Sequence, residues 1–299
     1  MMRALALSAG LLLAGCAQTA ATTAPVAPSA EVIASQVGEK PTPTSPPTGQ
    51  QWLYGSAEGA IASAQVYRTM ADYVRMAAIS AAPRRQVVLA EGSTTAAPKF
   101  DDCGDKPLAA VFDADETLIW NLGAMRYFAE QGKDFDPAVW DQWEKTGAGK
   151  AVAMPGVIDA LAIMRGAGVT IIVNTNRSAA NPKGSEDTLR AAGLGDFKHG
   201  ETLFLMGDTP DGASKDGRRA LIASRWCVIA MGGDQLGDFA QAFNARGLSV
   251  ADRKTMATSG PVAGLWGHGW FLLSNPVYGP SIRGGFADIF PSDKQWEPN

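Results

Sequence analysis

The chain has 299 residues, 46% of them hydrophobic and 19% charged, which suits one large globular domain or two small ones. Its net charge is −4, and its lysines and arginines do not run in long blocks, so a partner of polymeric nucleic-acid type is excluded. Beyond the first residues no stretch is apolar for long enough to cross a bilayer as a helix.

In chain order, Arg3 supplies a small positive charge ahead of an apolar run over residues 4–14. The run is too short for a membrane span and has the length of the central region of an export leader. It ends in Leu13, Ala14, Gly15 and Cys16, which looks like a bacterial lipobox. Such a leader would be removed as residues 1–15, and Cys16 would carry lipid chains that hold the protein to a membrane. An ordinary leader with a chance cysteine is the plainer alternative. Ala17 stands where an Asp would signal inner-membrane retention, so the likeness to such leaders points to the outer membrane, facing the periplasm or the surface. Residues 16–50 are mostly Ala, Thr, Pro and Ser; they cannot bury a core and read as a tether. The folded domain is expected over residues 51–299.

Ser56 and Glu58 look like a helix start, and Ile61, Tyr67, Met70, Val74 and Ala77 follow at near-helical spacing. Five short apolar runs come next, at residues 108–112, 169–173, 202–206, 226–231 and 270–273. Between them lie helical patterns. One starts at Pro155 with Ile158, Leu161 and Ala162 on one face, one starts near Lys215, and one covers residues 236–246. Buried strands alternating with helices predict an α/β fold, a doubly wound parallel sheet. The insertion at about residues 118–153, rich in aromatics, reads as a mainly helical cap. Cys103 falls shortly ahead of the first of these strands and Cys227 at the start of the fourth; a disulfide and two separate buried thiols are both open.

In such a sheet, ligands bind beyond the carboxyl ends of the strands. The polar residues there are Asp113 and Asp115, then Thr175, Asn176 and Arg177, then Lys215, then Asp234 and Asp238. This set suits phosphoryl transfer, which needs an in-line nucleophile and positive charge around the equatorial oxygens. Asp113 can attack phosphorus, giving an aspartyl-phosphate, while Asp115 donates a proton to the leaving oxygen. Thr175, Asn176 and Lys215 can hold phosphate oxygens. Asp113, the backbone carbonyl of Asp115 and Asp234 can ligate a hard cation, for which Mg²⁺ is favoured, with Asp238 ordering its waters. Lys183 is the other lysine in range, but it follows the second strand too closely.

Here a resemblance becomes specific. Asp113, Asp115 and Thr117 after an apolar strand resemble the first motif of the haloacid dehalogenase (HAD) superfamily. Thr175 closing the second strand, Lys215 with Arg218 behind it, and Gly233, Asp234 and Asp238 are similar to its other three, in order. The run from Asp113 to Asn121, the stretch Phe135, Asp136, Trp140 and Trp143, and the ending Leu273, Asn275, Tyr278 and Gly279 resemble the class C acid phosphatases, the lipoprotein-e type of 5′-nucleotidase. The resemblance implies a HAD-like Rossmannoid sheet with a cap and an Mg²⁺-dependent acid phosphatase for small monoesters, nucleoside 5′-monophosphates prominently. It also implies that Trp140 and Tyr278 flank the substrate's ring; both could instead be packing residues. Trp120, Ala124, Gln235 and Ser274 depart from the family pattern and bear on substrate preference more than on chemistry. A ligand-binding surface lipoprotein on a HAD scaffold, without turnover, is the rival reading. A homodimer is compatible with the sequence.

Overall fold

The computed structural model describes residues 43–82 and 84–298. The leader, Cys16 and most of the tether lie outside the described residues. Among the described residues no helix is long and apolar enough to cross a membrane.

Helix α1 (Ala57–Ile79) starts where Ser56 accepts a hydrogen bond from the Gly59 amide at 2.9 Å. Met70, Ala71 and Val74 recur at the spacing of one helical face, and all are buried. After a long loop come β1 (Leu108–Phe112), β2 (Ile119–Trp120), α2 (Leu122–Gln131), α3 (Pro137–Thr146) and β3 (Val152–Ala153). Then follow α4 (Val157–Gly166), β4 (Thr170–Ser178), α5 (Pro182–Ala191), β5 (Leu203–Met206), α6 (Asp216–Arg225) and β6 (Cys227–Gly233). The chain ends with α7 (Val250–Thr258), β7 (Trp270–Leu272) and the short α8 (Phe286–Ile289).

Five strands form one sheet in the order β5-β4-β1-β6-β7, and every pairing is parallel. Side chains alternate across it as the two-residue period of a strand requires. Ala110 and Phe112 enter one core with α1 and α4, whereas Ala109 and Val111 enter a second core with Val228, Met231 and Trp270. Both faces are covered, which is why the strands read as continuous apolar runs. The α/β fold expected from the sequence is the fold observed.

The insertion after β1 is clasped at its root: β2 and β3 pair antiparallel, with Ile119 opposite Ala153 and Trp120 opposite Val152. Between them α2 and α3 form the helical cap. Two expectations need correction. The helix predicted over residues 236–246 is instead two 3₁₀ turns, Leu236–Asp238 and Gln241–Asn244. The helix predicted to begin at Pro155 begins at Val157, after Gly156 with φ +86°; a Cβ there would lie 2.8 Å from the Ala64 Cα, so glycine lets α1 and α4 approach.

Cys103 and Cys227 form a disulfide across Cα atoms 5.0 Å apart, closing a loop over 124 residues of sequence. It ties the segment ahead of β1 to the first residue of β6, at the amino end of the sheet. A loop of this length restricts the unfolded chain strongly. Replacing both cysteines by Ser should cost about 2–5 kcal/mol, read as a lower melting temperature. Turnover at low temperature should stay intact, because the polar residues lie at the opposite end. An unchanged melting temperature would show that the cross-link contributes nothing.

Candidate active site

The carboxyl ends of β1, β4 and β6 and the start of α6 deliver their polar side chains to one place. Asp113 follows β1 directly, and its amide donates to the Gly232 carbonyl at 3.0 Å, pinning it between strands. Lys215, at the amino end of α6, donates from Nζ to Asp113 and, at 2.7 Å, to Asp238. Asp113, Asp234 and Asp238 bring one carboxylate oxygen each to within 4.8 Å of one another. Asp238, expected to order the waters of the cation, lies in the same cluster and is bonded to Lys215.

Burial decides the electrostatics here. It pushes the Asp113 carboxyl well above the usual range against the pull of Lys215, and Asp238 and Asp234 push the same way. Asp234 is pushed up to about 7 by burial and by Asp238 beside it. Burial draws the Lys215 ammonium down, but Asp113 and Asp238 outweigh it and the net shift is upward. One buried ammonium against three carboxylates leaves an excess of negative charge, held in hydrogen-bonded positions. Asp234 accepts from Thr117 Oγ1 at 3.1 Å, Asn275 Nδ2 at 2.7 Å and Gln235 Nε2 at 3.1 Å. This oxygen-only donor set fits a hard divalent cation. Gln235, a departure from the family pattern, stays polar-bonded by also donating to the Tyr278 carbonyl at 3.2 Å.

Asp115 faces a different partner. Arg177, fully buried, donates to it from Nε at 2.9 Å and from Nη2 at 2.7 Å, a two-pronged grip. Asn121 donates to the same carboxylate at 2.9 Å, and its own carbonyl accepts from Arg177 and from Trp143 Nε1. Burial alone would weaken the Arg177 charge, and Asp115 more than restores it. The Thr175 hydroxyl lies 3.5 Å from Asp115 and accepts from the Arg177 amide. Asn176 is exposed, with both ends of its amide bonded to the scaffold: Nδ2 donates to the Ala213 carbonyl at 3.0 Å, and Oδ1 accepts from Arg218. Lys183 is remote from the cluster in role, paired at the surface with Asp187.

Glu116 is the residue that motif reading passed over, although it sits inside the DADET run. It is wholly buried and adopts φ +51°, the only non-glycine with positive φ among the described residues. Its carboxylate accepts from the Asn121 amide at 2.9 Å, from Tyr54 Oη at 3.1 Å and from Tyr278 Oη. Burial first and Asp115 second push Glu116 up to about 7. Tyr278 is therefore tethered by its hydroxyl beside Asp115. Trp140 lies with its ring 6.0 Å from the Arg177 guanidinium. The cap is fastened to β4 by Glu144, which accepts from the Ser178 amide at 2.9 Å. A charged residue shortly before the apolar Leu118 and Ile119 was the available signal for Glu116; for Arg177 it was a guanidinium in the polar second half of a strand that begins apolar.

Comparison with known proteins agrees with this geometry. The family model described as HAD superfamily, subfamily IIIB (acid phosphatase) matches residues 56–281. The class C acid phosphatase from Bacillus anthracis with tungstate bound is 26% identical, with a TM-score of 0.61 over 78% of this chain and 84% of that chain. A second structure of the class C acid phosphatase from that organism gives 25% identity and a TM-score of 0.59 over the same shares. The family match covers well over half of the sequence, and the chain belongs to subfamily IIIB of the HAD superfamily: it is an acid phosphatase, a hydrolase of phosphomonoesters.

Proposed function

We propose that this phosphatase uses Mg²⁺ to hydrolyse small phosphomonoesters, nucleoside 5′-monophosphates among them, through an aspartyl-phosphate on Asp113. The observation that carries the reading is the contact of Lys215 with Asp113 inside the three-carboxylate cluster. An Asp113 oxygen attacks phosphorus and forms the P–O bond as the ester P–O bond breaks. Asp115 delivers its proton to the departing alkoxide, then takes a proton from the water that cleaves the aspartyl-phosphate. Arg177 and Asn121 hold the Asp115 carboxyl in place for both transfers. Lys215 and Thr175 would meet the equatorial oxygens; Asn176, already bonded to the scaffold through its side chain, offers them its backbone amide. Asp113, Asp234 and the Asp115 carbonyl would hold Mg²⁺, with Asp238 ordering its waters, and the ion would supply charge neutralisation between two anions.

Tungstate in the Bacillus anthracis phosphatase is a tetrahedral oxyanion, the shape of phosphate, and supports an oxyanion site in this chain too. Trp140 and Tyr278 are proposed to flank the ring of the substrate, since an aromatic face accepts any base. Cys16 is proposed as the lipid-bearing residue of an outer-membrane lipoprotein. A pure binder has no use for a proton donor gripped by a buried arginine, so the ligand-binding reading is the less supported one.

The test is phosphate release from a nucleoside monophosphate and from an aryl phosphate, with the chain from Ala17 onward. Turnover should need Mg²⁺ and vanish in EDTA. Metal-independent turnover would count against this mechanism.

A further inference from the structure

Two tyrosines far apart in sequence meet on one buried carboxylate. Tyr54 comes from the turn Gln51–Gly55 ahead of α1, and Tyr278 from the loop after β7. Both rings are half-buried, and both hydroxyls donate to Glu116. One Glu116 oxygen takes Tyr54 and the Asn121 amide, at 3.1 and 2.9 Å; the other takes Tyr278 and, at 3.3 Å, Asn121 Nδ2. All of these donors are neutral. Burying a carboxylate among neutral donors costs free energy. The backbone adds strain, because Glu116 is not glycine and sits at φ +51°. Its carboxylate is fully occupied by these partners, so it takes no part in attack or proton delivery. Burial and strain at a residue next to the proton donor point to a constraint that the fold alone does not impose.

Tyr278 is held at three points. Its amide donates to Asn275 Oδ1 at 3.3 Å, and its carbonyl accepts from Gln235 Nε2 at 3.2 Å. Asn275 and Gln235 also donate to Asp234, so the backbone of Tyr278 is set by the carboxylate cluster. Gly279 follows at φ +100°, and a Cβ there would lie 2.6 Å from the Gln235 side chain, so the close approach needs glycine. The third point is the hydroxyl on Glu116. Asn121 carries that point onward, because its Nδ2 bonds Glu116 at 3.3 Å and Asp115 at 2.9 Å. Tyr278 is thus tied by its backbone to the cluster that attacks and by its hydroxyl to the residue that protonates. Without the hydroxyl bond the ring is free to change rotamer; with it, one orientation is selected.

We propose that Glu116 is a positioning residue: it fixes the Tyr278 ring relative to Asp115, and this fix sets how strongly the enzyme favours esters that carry a planar ring. The proposal rests on the reading of Tyr278 as a wall for the substrate's ring. A wall already held in its bound orientation loses less freedom when a ring stacks on it. It also places the leaving oxygen of a stacked ester at a constant position relative to the proton donor, where small displacements are expensive in rate. An ester without a ring does not touch the wall and gains nothing from the tether. Tyr54 supports the arrangement from the other side, its ring edge-on to Trp120 with centres 5.7 Å apart. Its bond to the other oxygen keeps the Glu116 carboxylate from rotating away from Tyr278.

The test compares kcat/KM for adenosine 5′-monophosphate with kcat/KM for glycerol phosphate, an ester without a ring. Tyr278→Phe keeps the ring and removes only the hydroxyl. The ratio of the two values should fall about tenfold, with most of the loss in KM for the nucleotide. Glu116→Asp keeps the buried charge and tolerates a positive φ, but its carboxylate is one methylene short of Tyr278. It should lower the ratio by a similar factor. The double variant should lose little more than either single one, since both remove the same contact. A purely structural Glu116 would lower the melting temperature and slow both esters alike. Turnover of both esters by the unaltered chain belongs to the phosphatase reading; the ratio alone belongs to this proposal. A ratio that Tyr278→Phe leaves unmoved, losses that add in the double variant, or an unaltered chain that treats both esters equally would overturn it.

Discussion

Asp113→Asn should abolish turnover while leaving the protein folded, with a fall in kcat of about 10³-fold or more expected when a covalent nucleophile is removed. The amide has the size of the carboxylate and keeps a carbonyl for Lys215 Nζ, but it cannot form the aspartyl-phosphate. Stability should move the other way. Burial and the neighbouring Asp238 and Asp234 all disfavour the charge on Asp113, so an uncharged side chain relieves repulsion in the cluster. The expected result is an inactive enzyme whose melting temperature without metal equals or exceeds the original. Binding of Mg²⁺, followed by calorimetry, should weaken because one of three carboxylates is gone. Residual turnover near the original rate would place the nucleophile elsewhere. A collapse of the fold would mean that Asp113 is needed for structure rather than for attack.

Arg177→Met carries the second large effect, on stability and rate together. Arg177 is buried among Asp115, Glu144 and Glu116, and it supplies the positive charge they face. Removing one partner of a buried ion pair costs about 3–5 kcal/mol, because the other charge stays behind. For a domain of this size that is a drop of roughly 10 °C in melting temperature. The rate should fall too, since Asp115 loses two of the hydrogen bonds that aim it. Arg177→Lys should recover charge but not the two-pronged geometry, so stability returns further than kcat. Parallel recovery of both would mean that charge alone matters and orientation does not.

The fold was largely legible because both sheet faces are buried: fully apolar runs end at one polar residue each, and those residues fall at one end of the sheet. The stretch after Asp234 was not. Leu236, Phe239, Ala240 and Phe243 recur at helical spacing and are buried, which is why a helix was expected. Side chains take the backbone instead. Asp238 accepts from the Gln235 amide at 2.9 Å, and Arg219 donates to the Gly237 and Asp238 carbonyls at 3.0 and 2.7 Å. A continuing helix would need those carbonyls for its own ladder. Helix α5 went unread for the opposite reason: it is mostly polar and buries only Gly184, Ser185, Thr188 and Leu189.

Within the site, the positions of Asp113, Asp115, Lys215 and Asp234 were readable because each lies just past a strand or at the start of a helix, whereas Thr175 lies inside β4. The surroundings of Glu116 and Arg177 were not, since most of their partners come from segments far apart in sequence. Tyr54, Asn121 and Tyr278 meet on Glu116, and Asp115, Asn121 and Trp140 surround Arg177. Spacing cannot reveal a charge whose counterparts are brought by the fold.

The disulfide also sets how the molecule would respond to being cut. Its loop from Cys103 to Cys227 encloses the cap and the strands β1, β4 and β5. A protease that nicks the exposed turn at residues 132–136 would break the backbone inside that loop. The two fragments would stay joined through sulfur, with Asp113 on one piece and Lys215 and Asp234 on the other. The nicked enzyme would run as one species until a reductant was added, with its catalytic groups still held together.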